Sequence, residues 1–130
     1  MNGRISIVAG CVAMFVAVAA GAFGAHALRA RLAPDMLAIW HTAVEYQAWH
    51  ALALLFTGFL LAQRTVPRAM AAARAAAWLF IVGIMLFSGS LYLLVLSGQR
   101  WLGAITPLGG VAWLAGWAVL AVAVWRQPRG

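Results

Sequence analysis

The chain contains no lysine, and only two acidic side chains, Asp35 and Glu45, stand against its nine arginines. Charged residues make up 8% of the 130 positions, and the formal net charge is +7. Soluble domains carry about 25% charged residues, so this chain has too few charges to cover a surface facing water. The arginines stand singly between long apolar runs instead of sharing one basic face, which excludes a nucleic-acid-binding surface. Cys11 is the single cysteine. It lies in an apolar run, so an internal disulfide and a redox thiol pair are excluded, and it reads as a small buried hydrophobe. Also missing are a glycine-rich phosphate loop and a nucleophile–base arrangement around Ser88, Ser90 and Tyr92; Gly109-Gly110 opens a helix with no strand before it.

What is present is apolar: 66% of the residues are hydrophobic, against about 45–50% in soluble domains. Four segments, residues 5–25, 37–61, 75–95 and 107–125, are long enough to cross a bilayer at about 1.5 Å per residue. The fold class expected is therefore all-α, one integral membrane bundle of four transmembrane helices over residues 1–130. The connections leave no room for a catalytic extramembrane domain. Arg4 before an apolar run, with Ala25-His26-Ala27 after it, resembles a signal peptide. The run exceeds the usual core of about 7–15 residues, and a retained first helix is expected.

Orientation follows from arginine counts. Arg4, Arg64, Arg68, Arg74, Arg126 and Arg129 fall on one side, and Arg29, Arg31 and Arg100 on the other. This predicts both termini in the cytoplasm and places the protein in the inner (cytoplasmic) membrane. Trp40, Trp78, Trp101 and Trp125 fall near predicted helix ends, where an indole N–H stays wet. Thr106 is the expected N-cap of the fourth helix, with Pro107 at its first position. Asp35 is the expected cap of the second, and the helix dipole favours it there.

Helix association in lipid relies on small residues and hydrogen bonds. Ala9, Ala13, Ala17, Gly21 and Ala25 form an expected ridge on the first helix, and Ala76, Gly83, Ser90 and Ser97 a seven-residue seam on the third. Gly21, Gly24, Gly83, Gly109 and Gly110 are the packing glycines.

The polar residues concentrate in "WHTAVEYQAWH", residues 40–50. At 100° per residue, His41 and Glu45 share one side of a helix, and Tyr46 and His50 a side about 140° further round. If the helix enters near Met36, His41 lies at the interface, Glu45 about a third of the way in and His50 near mid-membrane. An ionised carboxylate in hydrocarbon favours protonation or a cation, so Glu45 reads either as a proton or cation site or as a Glu held by His41 or a neighbouring helix. His50 reads as a cross-bundle hydrogen bond, a ligand or a relay. His26, Ser88, Ser90, Tyr92 and Thr106 lie at depths from which they could join Glu45, Tyr46, Gln47 and His50. His41-x-x-x-Glu45 has metal-ligand spacing, and His26 or His50 could supply a third group, but no repeated ligand motif exists. No cofactor is predicted, with a metal or haem on His26 and His50 as a minor alternative.

With "GAFGAHAL" (21–28), "AVEYQAWHALALL" (43–55), "FSGSLYLLVLSG" (87–98) and "TPLGGVAWLAGW" (106–117) in order and at these spacings, the chain resembles the small membrane family known as domain of unknown function 423. That family includes YgdD-like bacterial proteins and is related to transmembrane protein 256. The resemblance covers nearly the whole chain and implies a four-helix inner-membrane protein without a known activity. It stresses Gly24, His26, Tyr46, Gln47, His50, Ser90, Tyr92, Ser97-Gly98, Pro107 and Gly109-Gly110, and shifts weight from His41 and Glu45 toward His26 and His50.

Three functions compete. The first is a non-enzymatic bundle binding lipid, a partner membrane protein or itself, and assisting assembly. The second is a small proton-coupled transporter or exchanger using Glu45 and His50; small multidrug exporters, however, carry their glutamate in the first helix, which here has none, and the balanced arginines of dual topology are missing. The third is a cofactor- or metal-binding redox protein using His26 and His50.

Overall fold

The computed structural model describes residues 1–63 and 66–126; Arg64 and Arg129, both counted in the orientation expectation, lie outside them. Among the described residues every regular element is helical. Helix α1 (Gly3–Phe23) continues into a π-helical turn, Gly24–Leu28. Helix α2 spans Pro34–Ala62. Helix α3 (Pro67–Gly83) passes through a second π-helical turn, Ile84–Ser88, into α4 (Gly89–Ser97), and a 3₁₀ turn, Arg100–Ala104, leads to α5 (Thr106–Trp125). The described residues thus form four rods, of which the third starts eight residues before its expected position at 75.

The rod ends follow local chemistry. The Asn2 side chain accepts from the Ile5 amide at 2.9 Å and caps α1. Pro34, Pro67 and Pro107 sit in first turns, where a missing N–H costs nothing. Gly98, with φ of 72°, closes α4 in the left-handed conformation that glycine adopts without a Cβ clash. Two expected caps differ. Ala33 occupies the N-cap of α2 without a side-chain bond, and Asp35 lies in the first turn, where only the dipole favours it. Thr106 does not cap α5, because its hydroxyl is hydrogen-bonded to Ser90 at 2.8 Å.

Three rods are long and apolar enough to cross a membrane: Gly3–Leu28, Pro67–Ser97 and Arg100–Trp125. The rod Pro34–Ala62 is long enough but falls short in hydropathy. The cause is the polar stretch itself, since His41, Glu45, Gln47 and His50 dilute its apolar residues. In the first rod only 17% of the apolar stretch is buried inside the protein, and Phe15 is 76% exposed. Large apolar side chains are exposed on every rod, among them Phe59, Met85 and Leu114. A surface of this kind suits hydrocarbon.

Helix α1 lies along α2, and α3 lies along α5; α2 meets the third rod at α3, the π turn and α4. The α1–α2 seam differs from the expected ridge. Its buried positions are Gly3, Ser6, Gly10, Ala17 and Gly24, while Ala25 is exposed. A step of four residues drifts about 40° per step around a 3.6-residue helix, whereas a step of seven drifts about 20°, so the 3-10-17-24 set stays facing α2. On the third rod Ala76, Gly83 and Ser90 are buried and Ser97 is exposed. The seven-residue spacing holds across the π turn as far as Ser90, and in α4 the further buried positions are Leu91, Leu94 and Val95. Cys11 is exposed on the outside of α1, not buried.

Candidate functional site

The stretch at residues 40–50 divides between two neighbours and the outside. Toward α1, Trp40 Nε1 donates to the Ala20 carbonyl at 2.8 Å and Gln47 Nε2 to the Ala13 carbonyl at 2.8 Å. Ser6 Oγ returns a bond to the Leu54 carbonyl at 2.9 Å. In all three pairs the residue numbers add to 60, so one antiparallel register is pinned at three depths. Small residues permit the approach: a Cβ on Gly3 would lie 2.7 Å from the Gly58 carbonyl oxygen, and one on Gly10 2.9 Å from that of Ala51. Trp40 is buried and bonds protein, so it is no part of a wet belt; Trp78, Trp101 and Trp125 are exposed.

Toward α5, His50 is buried in an aromatic stack. Its ring lies 3.7 Å from that of Trp113 at 3°, and Tyr46, Phe80, Phe87 and Trp117 complete the enclosure. Trp117 Nε1 lies 3.1 Å from His50 Nε2, and His50 Nδ1 lies 2.7 Å from the Tyr46 carbonyl. An indole N–H can only donate, so Nε2 is the acceptor and Nδ1 carries the proton that goes to Tyr46. Both ring nitrogens are occupied, and no lone pair is left for a metal. Trp113 Nε1 donates to the Phe80 carbonyl at 3.2 Å. Its indole fills the space that a Cβ on Gly83 would need, and the Phe87 backbone does the same at Gly109. Gly24 is equally tight against Trp40 at 2.6 Å, whereas Gly21 and Gly110 have room, with nearest atoms at 3.4 and 3.9 Å.

Polar groups of the third rod close the remaining seams. Ser88 Oγ, in the π turn, donates to the Ala43 carbonyl at 2.8 Å, and Ser90 Oγ lies 2.8 Å from Thr106 Oγ1 and 2.9 Å from the Phe87 carbonyl. Tyr92 packs on Trp40 with ring centroids 4.7 Å apart. Its hydroxyl is buried and, among the described residues, is the one buried side-chain polar atom without a hydrogen-bond partner.

The remaining ionisable groups do not join this core. His26, His41 and Glu45 are all exposed, with His41 and Glu45 on the outward face of α2. The α1–α2 register puts Glu45 level with Phe15, His41 with Ala19 and His50 with Gly10. Phe15 lies about 16 Å from Arg4 along α1 and about 21 Å from Arg29, just beyond the π turn, along the first rod. On α2 itself, Glu45 and His50 lie three and two residues to either side of the midpoint at residue 48, so both sit near the middle of that rod. His26 and His50 are separated by roughly 24 Å along the axis and cannot share one ion. Among the described residues no three His, Cys, Asp or Glu side chains come together as a metal would require.

An apolar cavity opens on this framework. Helix α1 and the third rod stand apart over the α1-facing side of α2, leaving an apolar groove of about 740 Å³. Ile5, Val12 and Val16 form one wall and Ile84, Met85 and Leu93 the other, while Gln47 and Tyr92 are its polar groups. Sequence reasoning found Gln47 and Tyr92 but not the groove, because helix spacing is set by packing between rods. It also missed Ser6, Trp113, Trp117 and the two π turns. "GAFG" and "FSGS" flank those turns with glycine, a signal too general to locate them alone.

The family model described as "Protein of unknown function (DUF423)" matches residues 20–110. The UPF0382 membrane protein YwdK of Bacillus subtilis is 42% identical over 120 residues, covering 92% of this chain and 95% of that protein. UPF0382 membrane proteins of Staphylococcus aureus (SAB0533, 39% identical, 95% and 97% covered) and Staphylococcus epidermidis (SERP0230, 42% identical, 92% and 94% covered) are similar over the same span. No solved structure matches.

Proposed function

We propose, since the chain belongs to the DUF423 family of membrane proteins, that it is a non-enzymatic inner-membrane bundle that holds a lipid-like amphiphile in the groove between α1 and the third rod. In this reading all four rods cross the bilayer with both termini cytoplasmic, and α2 is carried across by its bonds to α1 and α5 despite its lower hydropathy. The groove is the observation that supports it. Its walls are apolar, and two polar side chains, Gln47 and Tyr92, lie along it. The Tyr92 hydroxyl, buried and unsatisfied, gains a hydrogen bond if it turns toward an oxygen of the ligand. The chemistry of the ligand is thus an apolar chain with a hydrogen-bond acceptor.

A proton relay through Glu45 and His50 has less support, because His50 is enclosed by Trp113 and Trp117 while Glu45 faces away from it. A cofactor on His50 would first have to displace the Trp117 N–H from Nε2.

Native mass spectrometry of the protein released from its own membranes in mild detergent tests the reading. A retained lipid is expected, lost in Ala9→Trp, which fills the groove, and weakened in Tyr92→Phe. Equal retention by wild type and Ala9→Trp contradicts it.

A further inference from the structure

We propose that the outward face of α2 is where two copies of this chain pack together in the bilayer, with Glu45 of each copy meeting His41 of the other. The inference rests on α2 spanning the membrane, as proposed above, but not on the groove, which lies elsewhere on α2.

Glu45 is the starting point. Its level with Phe15, set by the three α1–α2 bonds, puts it about midway between Arg4 and Arg29, the depth where an ionisable side chain is most costly. Ionisable groups at that depth ordinarily face a bundle interior. Glu45 instead faces outward, and among the described residues it has no hydrogen-bond or ion-pair partner. His41, one turn away on the same face, is exposed as well. An outward carboxyl in the middle of the bilayer is reasonable if that face is interior to a larger assembly.

The rest of the face shows what covers it. Trp49, Leu52, Phe56 and Phe59 are 48%, 54%, 54% and 59% exposed. With Glu45 they follow one another at steps of four, three, four and three, the alternation of a seam in a left-handed helix pair. The outward face of α5, with Leu108, Val111 and Leu114, carries no ionisable group and needs only lipid.

A second copy supplies everything the α2 face lacks. A two-fold axis along the membrane normal sets α2 parallel to its mate, with equal depths facing each other. The two Glu45 carboxyls then flank the axis, each one turn from the His41 ring of the other copy, so the four side chains form one cluster in which every carboxyl has an imidazole within reach. The aromatic and leucine positions below interdigitate. Charge and hydrogen-bonding partners are thus self-complementary, without a group of any other protein.

Single cysteines in a Cys11→Ser background, expressed at native level, test the proposal. Oxidation of Leu52→Cys and Phe56→Cys in intact membranes should give disulfide-linked species of twice the chain mass, and Leu114→Cys on α5 should not. Glu45→Leu removes both symmetric contacts and should lower the yield at Leu52→Cys about ten-fold or more, the scale of two interhelical hydrogen bonds in lipid, and Glu45→Gln should lower it less. No cross-link at positions 52 and 56, equal cross-linking at 114, or an adduct of Leu52→Cys with a different protein overturns the proposal. Labelling of Leu52→Cys by a membrane-impermeant maleimide would overturn the spanning reading as well. A protected but uncross-linked cysteine overturns the interface alone.

Discussion

His50 illustrates how far a residue's chemistry is decided by its neighbours. A histidine in a membrane helix invites a ligand or relay role, but the Trp117 N–H on Nε2 and the Tyr46 carbonyl at Nδ1 fix it as one neutral tautomer, stacked on Trp113. Removing the Trp117 donor should therefore cost only what one such bond is worth in lipid. Trp117→Phe is expected to destabilise the folded protein by about 0.6–1.7 kcal/mol. His50→Ala, which also empties the stack, should cost roughly 2–4 kcal/mol. Both are read from reversible unfolding in mixed micelles. The glycines give a sharper contrast. Gly83→Ala drives a Cβ into the Trp113 indole and should destabilise by about 1–3 kcal/mol, whereas Gly110→Ala meets its nearest atom at 3.9 Å and should be neutral or slightly stabilising. Equal effects at the two glycines would contradict the packing described here.

Among elements, α2 carries the organisation. One side is bonded to α1 and another is stacked against α5, while a third carries His41 and Glu45 outward. The division follows from 100° per residue, and the separation of His41/Glu45 from Tyr46/His50 is legible in the sequence for that reason. Which neighbour receives which side is not legible, because it depends on register. Here the register is set by Gly3, Gly10 and Gly58, small residues whose meaning emerges only when two helices touch. The ridge read from alanines at every fourth position fails for the same reason, since helical drift turns its ends apart. Gln47→Leu removes one of the three α1–α2 bonds and should weaken the pair by about 0.6–1.7 kcal/mol while keeping the register, because the Trp40 and Ser6 bonds remain. Disulfide trapping of an Ala9→Cys/Ala51→Cys pair checks this: trapping that shifts to position 48 or 55 would show that the register had slipped.

At the scale of the whole molecule, the membrane class and the helical content are written in composition, and the family in four ordered motifs. The groove and the fate of each polar side chain are not, because they arise where rods meet or fail to meet. The rod Pro34–Ala62 is the pivot: it is the least apolar of the four, yet the helices on both sides are bonded to it. At 29 residues, roughly 43 Å from end to end, that rod is long enough to cross the bilayer. The most direct measurement is the sidedness of Asp35→Cys and Gln63→Cys, each in a Cys11→Ser background, labelled with an impermeant maleimide in right-side-out and inverted vesicles. The two positions should label from opposite sides, Asp35→Cys from outside and Gln63→Cys from the cytoplasm. Labelling of both from the same side would contradict the account.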